Sequence, residues 1–151
     1  MTLRLQPVLE NHGFDASAAP EWLLLCRGDS MPFYVVGGTG LTAIARAPAI
    51  AEATIEEMLM PAQPTWRILR IKGKTPGRTF VELRRENQLL KILEVVVAAP
   101  ITLKVSFHFV SDSAGHRTNR RPEELEEMLF WLNGIFTPQT NITFQKKITF
   151  F

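Results

Sequence analysis

The sequence holds a single cysteine, Cys26. No disulfide can form within the chain, so nothing in it calls for an oxidising compartment. Cys26 closes the apolar run Trp22, Leu23, Leu24, Leu25. Only Arg27 adjoins it to lower its pKa and no catalytic signature surrounds it, so it reads as a buried structural thiol. An apolar stretch of membrane-spanning length is missing too: the longest, near residues 92–99, is interrupted by Glu94. The N-terminus has neither a long apolar core nor a small-residue cleavage site, so no secretory leader is visible. A soluble, cytoplasmic protein is expected, unless a signal-independent route exports it, and no membrane partner. A charge excess is absent as well, with 17 Lys and Arg against 15 Asp and Glu. The basic residues between Arg67 and Arg78, and Arg117, Arg120 and Arg121, are not interleaved with aromatics as a base-stacking surface would be. Nucleic acid is therefore not an expected partner.

Signatures of catalysis are equally scarce. The three histidines, His12, His108 and His116, include no pair at helical i, i+4 spacing, and Cys26 lies far from them in sequence. No metal or cofactor is expected in this chain. Gly37-Gly38-Thr39-Gly40 lacks the lysine of a phosphate loop and the spacing of a dinucleotide-binding turn, so it reads as a hairpin loop. No Gly-x-Ser-x-Gly elbow occurs. Glu123, Glu124, Glu126 and Glu127 read as the solvated first turns of a helix.

With 46% apolar and 21% charged residues the chain can build a core. Up to about residue 100 the pattern is strand-like. Residues 22–26, 32–36 and 41–45 read as strands, whereas 47–60 is ambiguous between a helical turn and extended structure. Residues 66–72 form a strand with Ile68 and either Leu69 or Ile71 facing inward. Residues 79–85 alternate, Val81 and Leu83 on one face, Glu82 and Arg84 on the other. After a turn at Glu86-Asn87-Gln88, residues 89–97 return with Leu93, Val95 and Val97 on one face. Short strands separated by Gly, Pro and Asn turns predict a β-sandwich.

The stretches Gly-Lys-Thr-Pro-Gly-Arg-Thr-Phe-Val-Glu-Leu (73–83) and Leu-Leu-Lys-Ile-Leu-Glu-Val-Val-Val (89–97) resemble the end of a bacterial immunoglobulin-like domain. There a Gly-containing turn leads into a strand and a valine-rich strand closes the sandwich. The resemblance covers about residues 20–99 and implies an immunoglobulin-like fold. The Cys…Trp…Cys spacing of antibody-type domains is absent.

After Pro100 the pattern changes. Residues 101–110 predict a long strand, with Leu103, Val105, Phe107 and Phe109 on one face. A polar loop spans 111–121. Pro122 opens a helix whose apolar stripe is Leu125, Met128, Leu129, Leu132, Ile135 and Phe136, ending at Asn133-Gly134 or Thr137-Pro138. Residues 141–151 predict a second strand, parallel to the first in a βαβ unit. The fold class expected is mainly β with a βαβ unit: an immunoglobulin-like β-sandwich over residues 1–100, then strand-helix-strand over 101–151. Residues 103–110 and 128–145 resemble the opening of a metzincin-type zinc peptidase domain, but no His-Glu-x-x-His occurs in the sequence, so neither ligands nor a general base can be carried over. Zinc would then belong to a longer parent protein.

The polar residues singled out for ligand binding are Asp112, His116 and Arg117. They lie in the loop after a parallel strand, where open α/β sheets bind ligands. Arg27-Gly28-Asp29-Ser30 matches an integrin-recognition tetrapeptide, yet Gly and Asp are also what a turn between two strands requires. The expectation is a non-catalytic binding or spacer module forming the N-terminal part of a larger bacterial protein; the alternative is the front of a zinc metallopeptidase. Expected partners are another protein or a downstream domain of the same chain. The terminal strand, ending Phe-Gln-Lys-Lys-Ile-Thr-Phe-Phe without a polar tail, invites homo-oligomerisation.

Overall fold

The computed structural model describes residues 3–8, 13–37, 39–57, 66–108, 113–115, 119 and 121–147. The chain divides into two compact units, Met1–Ala99 and Pro100–Phe151. It is mainly β, with one helix among the described residues.

The described residues of the first unit form nine strands: β1 (Arg4–Pro7), β2 (Phe14–Asp15), β3 (Glu21–Cys26), β4 (Ser30–Val36), β5 (Leu41–Ala45), β6 (Ala51–Glu57), β7 (Arg67–Gly73), β8 (Gly77–Arg85) and β9 (Gln88–Ala98). They form a four-stranded sheet in the order β1-β4-β7-β6 and a five-stranded sheet in the order β2-β3-β9-β8-β5. All neighbours are antiparallel except β3 and β9, which run parallel from Glu21↔Leu93 to Cys26↔Ala98. Period-two alternation decides which side chains enter the core. From the four-stranded sheet these include Met31, Phe33, Val35, Leu69 and Ile71; from the five-stranded sheet Leu23, Val81, Leu83, Leu93, Val95 and Val97. The buried residues of both sheets belong to one hydrophobic cluster, each large side chain contributing about 1.5–3 kcal/mol of transfer free energy.

Several sequence expectations are refined. In β7 the inward pair is Leu69 and Ile71, both fully buried, while Ile68 shares the opposite face with Arg70. The ambiguous stretch contains β6, an edge strand drawn into the sheet by β7 and anchored by ion pairs from Glu52 to Lys74 (3.0 Å) and Glu56 to Arg70 (2.8 Å). The glycine loop after β4 is not a hairpin, because β4 and β5 lie in different sheets.

The described residues of the second unit form β10 (Ile101–Val105), α1 (Pro122–Thr140) and β11 (Ile142–Lys146). β10 and β11 pair in parallel, Ile101↔Ile142 through Val105↔Lys146. The first strand is shorter than its alternation predicted; residues 106–108 have left the ladder. The helix begins at Pro122 as expected but runs past Pro138, with Asn141 in the left-handed conformation (φ 59°) donating its N–H to the Thr137 carbonyl. Only part of the predicted stripe is buried. Leu125 and Leu129 face inward, whereas Met128 and Ile135 are exposed together with Trp131 and Phe130.

Leu93→Ala should destabilise the first unit by about 2–5 kcal/mol, because a fully buried leucine at the sheet centre leaves a cavity. Ile44→Ala, on the exposed side of the same sheet, should change stability by less than about 0.5 kcal/mol. Urea unfolding of the two variants checks the contrast.

Candidate functional site

Asp112, His116 and Arg117 lie outside the described residues. Between them Ser113, Ala114 and Gly115 are exposed. Among the described residues no group of three or more His, Cys, Asp or Glu is placed to hold a metal ion. No described helix is long and apolar enough to cross a membrane.

The polar architecture that the structure does assemble lies on the outer face of the five-stranded sheet. The alternation that buries Val81 and Leu83 turns Phe80, Glu82 and Arg84 outward. Cross-strand register places Phe80 opposite Glu94 of β9, and Glu82 between Ile92 and Ile44. Arg46, just beyond β5, reaches back to Glu82 with Nε 2.6 Å from Oε1. Arg84 engages the second oxygen, Nη2 and Nε lying 2.6 and 2.8 Å from Oε2. Arg78 pairs with Glu94 at 2.6 Å. The guanidinium carbons of Arg46 and Arg78 sit 5.3 and 6.0 Å from the centre of the Phe80 ring, cation–π distances. The Glu82 side chain is only 8% exposed, although its sheet face points away from the core, because the arginines cover it.

This lattice carries charge and shape, not a transferable proton. Hydrogen bonds from Arg46 and then Arg84 hold Glu82 below the ordinary glutamate value, and arginine does not deprotonate near neutrality. Sequence alternation identified Glu82 and Arg84 as outward residues. It could not supply Arg46, 36 residues away from Glu82 in the chain, because that neighbour depends on strand register. The one available signal was Phe80, an aromatic on the polar side of the alternation.

The Arg27-Gly28-Asp29 segment is the exposed connection from β3 to β4, which crosses from one sheet to the other. Its backbone is tied down on both sides. Arg27 N–H donates to Ala98 O (3.0 Å), Gly28 N–H to Gly73 O (2.9 Å), Asp29 N–H to Cys26 O (3.0 Å), and Gly73 N–H returns to Asp29 O (2.9 Å). Gly28 has φ +93°, the left-handed region that glycine enters without strain. A Cβ at Gly73 would fall 2.9 Å from Cys26 O. The tetrapeptide thus has a structural reason for each backbone-determining residue. Burial pushes the Cys26 thiol up, with the Asp29 carboxylate adding to the shift, which keeps it protonated and poorly nucleophilic at neutral pH.

No family model and no curated protein matches the chain. Solved structures similar to it include domains 4 and 5 of the S-layer protein SbsC, with TM-score 0.44 and 15% identity over 62% of this chain and 54% of that one. Domains 5–6 of SbsC match with TM-score 0.40 and 16% identity over 62% of this chain and 45% of that one. The chain therefore spans about half the length of these SbsC structures. The resemblance of residues 103–151 to a zinc peptidase finds no support among the matches.

Glu82→Gln should lower the melting temperature at pH 7. The folded-state pKa of Glu82 is depressed, so its ion pairs stabilise the fold above the ordinary carboxylate value of 4.5. That contribution disappears as pH falls through the depressed folded value. The gap between wild type and variant, followed by thermal unfolding from pH 7 to pH 3, should therefore close on acidification. A gap unchanged at pH 3 would mean that charge is not what Glu82 contributes.

Proposed function

We propose that this chain is a non-catalytic spacer and binding module of a larger bacterial protein, and that its first unit is an immunoglobulin-like β-sandwich. The sheet orders support the fold assignment. Numbering β1, β4, β5, β6, β7, β8 and β9 as strands A to G turns β1-β4-β7-β6 into A-B-E-D and β5-β8-β9 into C-F-G, the partition of an immunoglobulin constant-type sandwich. β2 and β3 are then additions beside G.

The observation that carries the spacer role is the polarity of the first unit. Its chain enters beside Lys91, whose Nζ lies 3.4 Å from Leu3 O. It leaves at Ala98, seven residues further along β9, about 23 Å away at the rise of a strand. The partner strands agree. Arg4 pairs with Val36 at one end of β4, and Ala98 meets Arg27 near the other end. Entry and exit at opposite ends are what a repeated or tension-bearing unit in a longer chain needs.

The same polarity loads the strands along their length. Tension between the two ends slides β1 against β4 and β3 against its parallel neighbour β9, so the ladder bonds of each pair bear force together. The binding role would use the arginine-rich outer face, where Arg46 and Arg78 remain 52% and 65% exposed around Phe80. Such a face suits a partner that presents planar or anionic groups.

Force spectroscopy on the full chain tests the spacer reading. Handles at positions 4 and 99, in a Cys26→Ser background, pull the ladders in shear. Handles at positions 30 and 72, which face each other across β4 and β7, open one pair bond by bond. The first geometry should require the higher unfolding force. An equal or lower force would remove the case for a tension-bearing spacer.

A further inference from the structure

The two-stranded sheet of the second unit treats its two edges differently. In β11 the N–H and C=O groups of Ile142, Phe144 and Lys146 point away from β10; this follows from the parallel register and from the bonds Ile101 N–H to Asn141 O (2.9 Å) and Lys147 N–H to Val105 O (2.9 Å). α1 covers that edge. The Asn133 side-chain amide makes both bonds a neighbouring strand would make: Phe144 N–H donates to Asn133 Oδ1 (2.7 Å), and Asn133 Nδ2 donates to Phe144 O (2.9 Å). Thr137 Oγ1 donates to Ile142 O at 3.0 Å. Further strand pairing along β11 is thereby blocked.

Among the described residues no such cover protects β10. The same register turns the backbone groups of Thr102 and Lys104 away from β11, and no described residue pairs with them. Both residues are exposed, and on the adjoining sheet face Ile101 and Leu103 are 50% and 43% exposed. A two-stranded sheet with one open edge and an uncovered apolar face is incomplete as a folded element.

We propose that the open edge of β10 pairs antiparallel with β10 of a second copy of this chain, about a two-fold axis through Leu103. The sequence Ile-Thr-Leu-Lys-Val is self-complementary in that register. Thr102 faces the second copy's Lys104 in a hydrogen-bonded pair, and each uses the backbone groups that point outward. Leu103 faces Leu103 without hydrogen bonds between them, and Ile101 faces Val105. The apolar side chains gather on one face, while no lysine stands opposite a lysine, which would be unfavourable. The product is a four-stranded sheet, β11-β10-β10-β11, with both outer edges already closed by Asn133 and Thr137, and the contact is isologous and self-limiting. A five-residue strand pair is smaller than a stable dimer interface, so association is weak and concentration-dependent. Pairing through β10, not the terminal strand, is the arrangement the edge chemistry favours.

Cysteine crosslinking of the full chain in a Cys26→Ser background tests this. Across the two-fold axis the Leu103 Cα atoms would be about 4.5 Å apart, within disulfide reach. Leu103→Cys should oxidise to a covalent dimer at least tenfold faster than Thr102→Cys, whose two copies fall outside that reach, and than Ser17→Cys, an exposed position in the first unit. Adding Thr102→Pro to Leu103→Cys removes one outward N–H without touching the β10–β11 ladder, so it should abolish the rate advantage while circular dichroism stays unchanged. Lys104→Pro serves the same purpose should Thr102→Pro perturb the fold. Crosslinking of Leu103→Cys no faster than the Ser17→Cys control, or crosslinking indifferent to the proline in a folded variant, would overturn the proposal.

Discussion

The antiparallel pair β8–β9 is the constraint on which the first unit depends. Its inner side chains, Val81, Leu83, Leu93, Val95 and Val97, are fully or almost fully buried and contribute the centre of the five-stranded sheet. The register that places them inside also fixes what stands outside. Phe80 must face Glu94, and Glu82 must lie between Ile92 and Ile44. A shift of one residue would exchange the two sets, burying two glutamates and two arginines in the core at a large desolvation cost. The hydrophobic requirement of one face therefore positions the ion-pair lattice of the other. The lattice in turn lets a glutamate sit nearly covered without a destabilising lone charge, because each of its oxygens meets an arginine.

Much of this was legible in the sequence where alternation was strong. The inner and outer sets of β8 and β9 follow from period two alone, as does the existence of a connection at Arg27-Gly28-Asp29. The helix start followed from Pro122 and the glutamates behind it. What failed to show depends on distant partners. β6 mixes alanine and glutamate, which strands disfavour, with Thr54 and Ile55, which they favour; its ladder with β7 and the Arg70 and Lys74 ion pairs settle it as a strand. β1 and β2, four and two residues long, are too short to display a period. The helix persists past Pro138 because other bonds hold its last turn: Thr140 Oγ1 to Phe136 O and Asn141 N–H to Thr137 O within it, and Thr137 Oγ1 to Ile142 O beyond it. The loop residues singled out for ligand binding lie outside the described residues, whereas the assembled polar face joins β-strands far apart in sequence.

The two units solve the problem of strand edges by different means. In the first, three of the four edge strands are short or charged: β2 has two residues, β1 has four, and β6 carries Glu52, Glu56 and Glu57, whereas β5 is five residues long and uncharged. Charge and brevity both discourage further pairing. In the second unit the device is local and specific, a helical asparagine that imitates the missing strand at Phe144. That imitation requires α1 to lie beside β11, so the helix cannot also cover Ile101 and Leu103 of β10, which remain half exposed. Closing one edge thus leaves the other edge and its apolar face open among the described residues. Unlike β6, β10 has no acidic residue to repel a neighbour, and its one charge, Lys104, lies opposite a threonine in a two-fold pairing. The asymmetry between the edges follows from where α1 is placed.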